Sequence, residues 1–236
     1  MTSTRLPGKV LVPLCGQPVL GHIARRLRRA RELDAVAIAT TTNATDDPVA
    51  ALAVELSVPC FRGSEHDVLS RYLGAAQAVG ATAIVRITAD CPFVDPAIVD
   101  RVVRNYREGD ADYVSDTLER SYPIGMDVEV FSLAALETAA GNAVADDERE
   151  HVTLHIYRHP DRFRLRNLSA PEIHARPTLR LTLDTPGDLA LTQAVYEGLY
   201  SENPMFDLSD ILAFLDTRPE VVALNQDVPH KWVSTQ

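Results

Sequence analysis

The sequence of 236 residues has few cysteines and no long apolar run. Cys15, Cys60 and Cys91 are odd in number and form no C-x-x-C pair. This excludes a disulfide framework and a cysteine-rich zinc site, and it predicts reduced, buried thiols. No apolar stretch reaches the roughly 18 residues of a membrane span, and no apolar signal-peptide core follows Met1. We therefore expect a soluble, cytoplasmic protein.

Lysine is scarce, since only Lys9 and Lys231 occur, and the formal net charge is -10. Such a charge repels nucleic acids and anionic membranes unless a strong basic patch offsets it. The densest basic run, residues 25–31, has helical spacing and predicts a solvated arginine face, with Ile23 and Leu27 pointing inward. We therefore expect neither a nucleic-acid partner nor a membrane partner.

Short β-branched runs alternate with helical patterns along the whole chain, without a linker or repeat. This organisation is typical of one α/β domain with a mostly parallel sheet, here residues 1–236. The predicted helices are 18–33, one from 47, 67–79, 95–107, 132–142, 146–159, one from 185, and 207–215. The predicted strands are 35–41, 58–61, 83–88, 127–131 and 178–183. Strict alternation predicts an exposed strand at 127–131, and residues of about 113–170 are interpreted as an arm or dimerisation insert.

Two aspartates stand at the carboxyl ends of predicted strands. Asp90 follows strand 83–88, and Asp184 follows strand 178–183. The carboxyl ends of parallel strands form the ligand-binding edge of such sheets, and Mg²⁺ prefers carboxylate oxygens. The pair therefore predicts a metal site, with helix capping and loop hydrogen bonding as the alternative. Asp188, one turn further on, is expected to complement a helix dipole.

The loop Ser3–Lys9 combines hydroxyl groups, two cations and a glycine. Arg5 and Lys9 supply positive charge, and Gly8 allows the backbone to approach a ligand closely, so the loop has the composition of a triphosphate site. It is not a Walker A loop, because Val10 stands where a magnesium-binding serine or threonine would follow the lysine. A polar chain start without a ligand is the alternative.

Three histidines recur at four-residue spacing in predicted helix 146–159. His151, His155 and His159 would then share one helix face, which suggests zinc. The charged residues around them favour a solvated or interfacial helix instead. No H-E-x-x-H metalloprotease motif and no G-x-S-x-G hydrolase motif occurs.

Six motifs in chain order resemble the cytidylyltransferases that make CMP-activated sugar acids, in particular their spore-coat-polysaccharide branch, with acylneuraminate and KDO cytidylyltransferases as relatives. The motifs cover most of the chain. They are Ser3-Thr4-Arg5-Leu6-Pro7-Gly8-Lys9-Val10-Leu11; Arg62-Gly63-Ser64 with Asp67-Val68-Leu69-Ser70-Arg71-Tyr72; Arg86-Ile87-Thr88-Ala89-Asp90-Cys91-Pro92; Gly125-Met126-Asp127-Val128-Glu129-Val130-Phe131; Glu148-Arg149-Glu150-His151-Val152-Thr153; and Arg180-Leu181-Thr182-Leu183-Asp184-Thr185-Pro186.

The resemblance implies a Rossmann-like nucleotidyltransferase fold, a three-layer sandwich with a small dimerisation arm. It also implies CTP as co-substrate, Mg²⁺ as metal and a homodimer. By the same resemblance, the catalytic residues are Arg5, Lys9, Asp90 and Asp184, of which the two aspartates ligate the metal. The nucleotide-binding residues are Ser3, Arg5, Gly8, Lys9, Ser64, Arg71 and Asp90. The acceptor-binding residues are Arg86, Asp116, Asp127, Arg149 and His151.

The sequence departs from the family pattern in three places. Family members begin with a hydrophobic strand and a Gln-Ala-Arg lead before this loop, whereas here the loop starts at Ser3. We therefore expect the sheet to lack its first strand, which leaves backbone groups unpaired, and a misplaced start codon is the simpler explanation. Asp116 stands where asparagine is expected, and Leu154 where proline is frequent. These two changes bear on the identity of the acceptor more than on nucleotide binding.

The predicted function is transfer of CMP from CTP to a small anionic acceptor, a sugar acid or a phosphonate, with release of pyrophosphate. Acceptor and nucleotide repel each other, so metal and arginine must supply positive charge; no covalent intermediate is required. One alternative is a sugar-1-phosphate nucleotidyltransferase that uses UTP or dTTP. Another is a catalytically inactive nucleotide-binding protein that lacks the first strand. The acceptor and the pathway stay open.

Overall fold

Helices and strands alternate in the computed structural model, which describes residues 3–229. The strands are β1 Pro13–Leu14, β2 Gln17–Pro18, β3 Ile38–Thr41, β4 Cys60–Gly63, β5 Ala83–Arg86, β6 Tyr113–Ser115, β7 Glu129–Ser132 and β8 Leu165–Asn167. The helices are α1 Val19–Leu27, α2 Asp47–Glu55, α3 Val68–Ala78, α4 Pro96–Glu108, α5 Leu133–Asn142, α6 Asp146–Glu150, α7 Leu154–Arg158, α8 Pro186–Leu199, α9 Leu208–Asp216 and α10 Pro219–Val222. The α/β fold class is confirmed. No described helix combines the length and apolarity that crossing a membrane requires.

The strands form two sheet segments and a hairpin. β3 pairs in parallel with β4, and the second segment has the order β5-β7-β6-β8. β6 and β8 are parallel, whereas β7 runs antiparallel to both of its neighbours. Residues 113–170 thus contribute three strands to the sheet as well as α5, α6 and α7; their role in dimerisation stays a prediction.

Turn and cap residues start the helices that follow the strands. The side chain of Asp67 accepts from Ser70 N at the start of α3, and that of Asp95 accepts from Ala97 N at the start of α4. Proline occupies the first turn of α2, α4 and α8, where its missing N–H has no helical partner to lose. The capped helices α3 and α4 thus begin in the segments that follow the carboxyl ends of β4 and β5.

Two predicted strands differ from the structure. Residues 178–183 form no strand; Arg180 makes a single parallel bridge to Ile124, and the next residue, Gly125, has a left-handed φ of +98°. The strand predicted to be exposed at 127–131 is interior, as Glu129–Phe131 are buried in the middle of the sheet. Ion pairing and hydrogen bonding compensate the buried charge of Glu129.

The predicted helix 146–159 is interrupted at His151, which leaves the backbone angles of a helix (φ -103°, ψ 67°). The second half is buried rather than solvated, since Leu154, His155 and Ile156 are inaccessible. The three histidines therefore do not share one helix face. His155 and His159 do stack, with ring centroids 4.2 Å apart.

Two expectations about exposure are also wrong. Arg26, predicted on a solvated face of α1, is 2% exposed and donates to Val94 O and Phe206 O at 2.7 and 2.6 Å. Cys15, predicted to be buried, is exposed in the turn between β1 and β2. The buried guanidinium is tolerated because backbone carbonyls satisfy it.

Candidate active site

The Ser3–Lys9 loop folds back on itself at the start of the described chain. The backbone N of Leu6 donates to Ser3 Oγ at 3.3 Å, and Gly8 takes left-handed angles (φ +71°) that start a 3₁₀ turn at Lys9–Leu11. A side chain at Gly8 would be strained in this conformation. The turn holds the Lys9 ammonium group over the edge of the sheet.

Lys9 lies between the two predicted metal-binding carboxylates. Its Nζ is 2.7 Å from Asp90 Oδ2 and 2.6 Å from Asp184 Oδ1. Burial lowers the pKa of Lys9, but the two negative charges outweigh burial and hold that pKa above its ordinary value. For Asp90, burial raises the pKa, and the charge of Lys9 outweighs it, so the carboxylate is ionised. Asp90 and Asp184, which the sequence predicts at equivalent strand ends, thus both contact the Lys9 ammonium group.

Two hydrogen bonds to the backbone oxygen of Asp90 hold the segment that carries Asp184 beside it. Leu183 N donates to Asp90 O at 2.8 Å, and Thr182 Oγ1 donates to the same oxygen at 3.1 Å. The segment that carries Asp184 is therefore tied to the end of β5, although it forms no regular strand. This tie keeps both carboxylates at one edge of the sheet.

A capping box holds Asp184 from its other side. Asp188 Oδ2 accepts from Asp184 N at 3.0 Å and from Thr185 N at 2.9 Å, and Thr185 caps α8 in return. Asp188 is fully buried and pairs with Arg180 Nε at 2.8 Å. Its role is thus larger than the predicted complement to the helix dipole.

Two arginines converge on Asp184. Arg5 lies 3.2 Å and Arg180 3.1 Å from Asp184 Oδ2. Arg180 belongs to the last of the six motifs, but the sequence predicts no role for it. Its position four residues before Asp184 could have indicated that the two side chains lie close together. With Lys9, three cations therefore surround the carboxylate pair, an arrangement that attracts phosphate groups.

Two predicted nucleotide residues lie at the start of α3. Arg71 donates to Ser64 O at 2.6 Å, and Ser64 Oγ accepts from Asp67 N at 3.0 Å. Arg71 also lines a cavity that reaches Thr88 and Ala89 at the end of β5. Burial lowers the pKa of Arg71, yet a guanidinium stays protonated at neutral pH. Both residues therefore lie near the carboxyl ends of the strands.

The predicted acceptor residues are spread over several contacts. Arg86 forms a buried ion pair with Glu129, and Asp127 forms a bidentate pair with Arg120 at 2.7 and 3.0 Å. Asp116 is 1% exposed and accepts from Val128 N at 2.9 Å. These contacts are structural, and they leave the acceptor roles of these residues as predictions.

Arg149 and His151 belong to a separate region next to α6. Arg149 lies 3.4 Å from Asp67 and lines a cavity of about 510 Å³ with Glu65 and His66. His151 lies at the break between α6 and α7, where its N donates to Asp147 O. Neither residue is paired with the Lys9 cluster by a hydrogen bond or ion pair that the described residues make.

A second carboxylate–imidazole group lies in the same region. Atoms of Glu148, His155 and His159 that can bind a metal lie within 4.8 Å of one another. His155 Nδ1 is 3.0 Å from Glu148 Oε1, and His159 Nδ1 is 2.7 Å from His155 O. His151 is not part of this group, so the three histidines that suggested zinc do not come together.

The cytidylyltransferase family profile matches residues 1–213. The chain is 36% identical to the spore coat polysaccharide biosynthesis protein SpsF of Bacillus subtilis over 225 residues, 93% of this chain and 92% of that protein. It is 34% identical to the 3-deoxy-manno-octulosonate cytidylyltransferase of Nitratidesulfovibrio vulgaris over 111 residues, 45% of this chain and 42% of that one.

A solved structure of a cytidylyltransferase from Leptospira borgpetersenii has the same fold. It superposes with a TM-score of 0.89 at 30% identity and covers 98% of this chain and 95% of its own. The structure of a CMP:2-keto-3-deoxy-manno-octonic acid synthetase complexed with CTP superposes with a TM-score of 0.63 at 14% identity, covering 83% and 94%. The second likeness concerns the fold alone.

Proposed function

The chain belongs to the cytidylyltransferase family and is a CTP-dependent nucleotidyltransferase, and we propose that it transfers CMP from CTP to a small anionic acceptor with release of pyrophosphate. The observation that carries the proposal is the contact of Lys9 with both Asp90 and Asp184, at 2.7 and 2.6 Å. This contact supports the proposal because the two carboxylates and the Ser3–Lys9 loop meet at one ammonium group.

The cations of the cluster bind and orient the triphosphate in this proposal. Arg5 and Lys9 lie on the loop whose Gly8 lets the backbone approach a ligand, and Arg180 is held in place by Asp188. Positive charge that is fixed before the reaction stabilises the negative charge that develops on the departing pyrophosphate. It also reduces the repulsion between the nucleotide and an anionic acceptor.

The donor set fits Mg²⁺, because Asp90 and Asp184 both direct carboxylate oxygens at one point, the Lys9 ammonium group, and Mg²⁺ prefers such oxygens. These two residues would hold the ion, which would supply Lewis-acid polarisation of the phosphoryl oxygens when bound. Asp90 is ionised at neutral pH, as a metal ligand must be. Lys9, which lies beside both carboxylates, would supply its positive charge to the phosphate oxygens of the nucleotide.

A sugar acid or a phosphonate is the proposed acceptor class. The relative from Nitratidesulfovibrio vulgaris carries the name of such an acceptor, 3-deoxy-manno-octulosonate. An acceptor of this class is already anionic or is easily deprotonated beside cations, so the chain needs no separate general base. The acceptor residues, the homodimer and the cytoplasmic location stay predictions.

The test is the mass of the product. The chain is incubated with CTP, Mg²⁺ and a pool of sugar acids and phosphonates, and UTP and dTTP with sugar 1-phosphates serve as the matched alternative. We expect one CMP-linked product, equimolar pyrophosphate and a thermal shift with CTP. A UDP- or dTDP-linked product from a sugar 1-phosphate would overturn the proposal. So would CTP binding without turnover of any acid, which is the behaviour of an inactive nucleotide-binding protein.

A further inference from the structure

A second group of metal-binding side chains lies outside the Lys9 cluster, around the junction of α6 and α7. Glu148, His155 and His159 each offer an atom that can bind a metal, and these atoms lie within 4.8 Å of one another. Glu148 is 7% and His155 is 4% exposed, whereas His159 is half-buried. The group is therefore shielded from water and still reachable from the side of His159.

The three side chains come from both sides of the break at His151. Glu148 belongs to α6, His155 belongs to α7, and His159 directly follows α7. Residues four apart on a helix share one face, so the two imidazole rings lie side by side, with centroids 4.2 Å apart. An ion bound by all three side chains would therefore join two helices that are separated by an irregular segment.

The contact between Glu148 and His155 has the spacing of two ligands on one ion. His155 Nδ1 is 3.0 Å from Glu148 Oε1. At zinc bond lengths of about 2.0–2.1 Å and tetrahedral angles, two ligand atoms are about 3.3 Å apart. A small movement of these two side chains would thus admit an ion in place of the proton that Nδ1 donates to the carboxylate.

The other ring nitrogen of His155 can carry the displaced proton. Nε2 is buried and makes no hydrogen bond with any residue from 3 to 229. Because no group donates to Nε2, moving the ring proton there breaks no hydrogen bond. The ring therefore stays neutral when Nδ1 binds an ion, and neutral imidazole is the form that ligates metals.

Hydrogen bonds orient the other two ligands. His159 Nδ1 donates to His155 O at 2.7 Å, which leaves the Nε2 lone pair of His159 for an ion. Glu148 Oε2 accepts from Val144 N at 3.3 Å, which leaves Oε1 for an ion. Metal-binding histidines and carboxylates are commonly held in this way, by hydrogen-bond partners that do not touch the ion.

The surrounding charge and the ligand types select the kind of metal. Helix α6 has the sequence Asp-Asp-Glu-Arg-Glu, and its excess of acidic residues attracts cations. Imidazole nitrogen suits transition metals such as zinc, whereas Mg²⁺ prefers oxygen ligands. The group therefore differs in metal preference from the pair Asp90 and Asp184.

We propose that Glu148, His155 and His159 bind one divalent transition-metal ion of the zinc type, which holds α6 against α7. The bound ion also steadies a contact with α3, because Arg149 on α6 lies 3.4 Å from Asp67, the residue that caps α3. This site does not depend on the reaction proposed above.

The experiment measures zinc binding by the untagged chain. The chain is freed of metal with a chelator and titrated with Zn²⁺ in excess Mg²⁺, which competes for the oxygen ligands Asp90 and Asp184. We expect one Zn²⁺ per chain after gel filtration. We also expect a higher melting temperature with Zn²⁺, because an ion that binds only the native state stabilises it.

His159→Ala and Glu148→Gln should each weaken zinc binding by about 100-fold or more, since even the loss of a residue that only orients a ligand costs about 10- to 100-fold. His151→Ala is the matched control, because His151 lies beside the group without belonging to it, and this variant should bind Zn²⁺ as the wild type does. Circular dichroism checks the fold of each variant. His159 is half-buried at the end of α7, so His159→Ala carries the test if the buried Glu148→Gln does not fold.

Failure of the wild type to bind Zn²⁺ would overturn the proposal, and so would unchanged zinc binding in His159→Ala and Glu148→Gln. Displacement of Zn²⁺ by Mg²⁺ would place the ion at Asp90 and Asp184 and would also overturn it. Co²⁺ in place of Zn²⁺ reports the ligand type. A thiolate charge-transfer band would place the ion at the exposed Cys15, which contradicts the proposal, whereas nitrogen and oxygen ligands give none.

Discussion

Asp90 and Asp184 bind the same ammonium group: Lys9 Nζ lies 2.7 Å from one carboxylate and 2.6 Å from the other. Neither carboxylate is fully buried, with side-chain exposures of 26% and 21%. The cluster is therefore open to a ligand while its geometry is fixed by the backbone. This combination of access and fixed charge is what phosphoryl chemistry requires.

Lys9→Met should reduce pyrophosphate release from CTP by about 100-fold or more, because a fixed cation near the phosphates is lost. The pKa of Asp90 should rise, since Lys9 is the partner that depresses it. The melting temperature should also fall, because Lys9 is largely buried and its loss leaves Asp90 and Asp184 without their shared partner. Lys9→Arg keeps the charge and is the matched control, with an intermediate rate. A wild-type rate in Lys9→Met would contradict the role of Lys9.

Gly125→Ala should lower both stability and activity. Gly125 has φ +98°, and a Cβ there would lie 2.7 Å from the backbone of Leu181 and Thr182. The clash would push away the segment that carries Asp184. Gly141→Ala is the control, since it meets no atom within 4 Å and lies in α5, where alanine is favoured over glycine by about 1 kcal/mol. Urea unfolding and initial rates should show a loss in Gly125→Ala and none in Gly141→Ala. Equal effects of the two substitutions would contradict a steric clash at Gly125.

Glu129→Gln should destabilise the fold by about 3–5 kcal/mol, because it leaves the Arg86 guanidinium without its buried partner. Tyr113 Oη also donates to this carboxylate, at 2.8 Å. The paired change Arg86→Met with Glu129→Leu should recover most of the loss, as measured by urea unfolding. If Arg86 instead binds the acceptor, Arg86→Met would raise the acceptor KM and leave the unfolding free energy almost unchanged.

Asp116→Asn should change how stability depends on pH. Burial, and then the charge of Asp127, hold the pKa of Asp116 well above its usual range. The folded state thus binds a proton that the unfolded state releases, so this contribution is present at low pH and is lost as pH rises through the folded pKa. As the pH rises, the free energy of unfolding of the Asn variant should increase relative to that of the wild type, by up to about 1.4 kcal/mol per pH unit. Urea unfolding between pH 5 and 8 measures this; a constant difference would contradict the raised pKa.

The meeting of Asp90 and Asp184 was predictable from sequence, because each aspartate follows a predicted strand and precedes a helix start. Residues 178–183 form no regular strand, yet hydrogen bonds from Leu183 N and Thr182 Oγ1 to Asp90 O still hold Asp184 beside Asp90. The buried Arg26 was not predictable in this way. Its partners, Val94 O and Phe206 O, are distant in sequence, so helical spacing alone placed it in solvent.

The break at His151 and the irregular course of residues 178–183 depend on tertiary contacts as well. Thr153 Oγ1 hydrogen-bonds to the buried Glu129, next to the point where the helix is interrupted. Helical periodicity does not report such a contact. Nor does alternation report that Arg180 pairs with a single residue, Ile124, rather than with a full strand.

The carboxylate pair is tested most directly by pyrophosphate release from CTP in Asp90→Asn, Asp184→Asn and the double variant, each shown by circular dichroism to be folded. If both carboxylates serve one cation, each single variant should lose about 100-fold or more, and the double variant should lose little beyond that, because groups that act as a unit are not additive. Wild-type rates in both single variants would contradict the account.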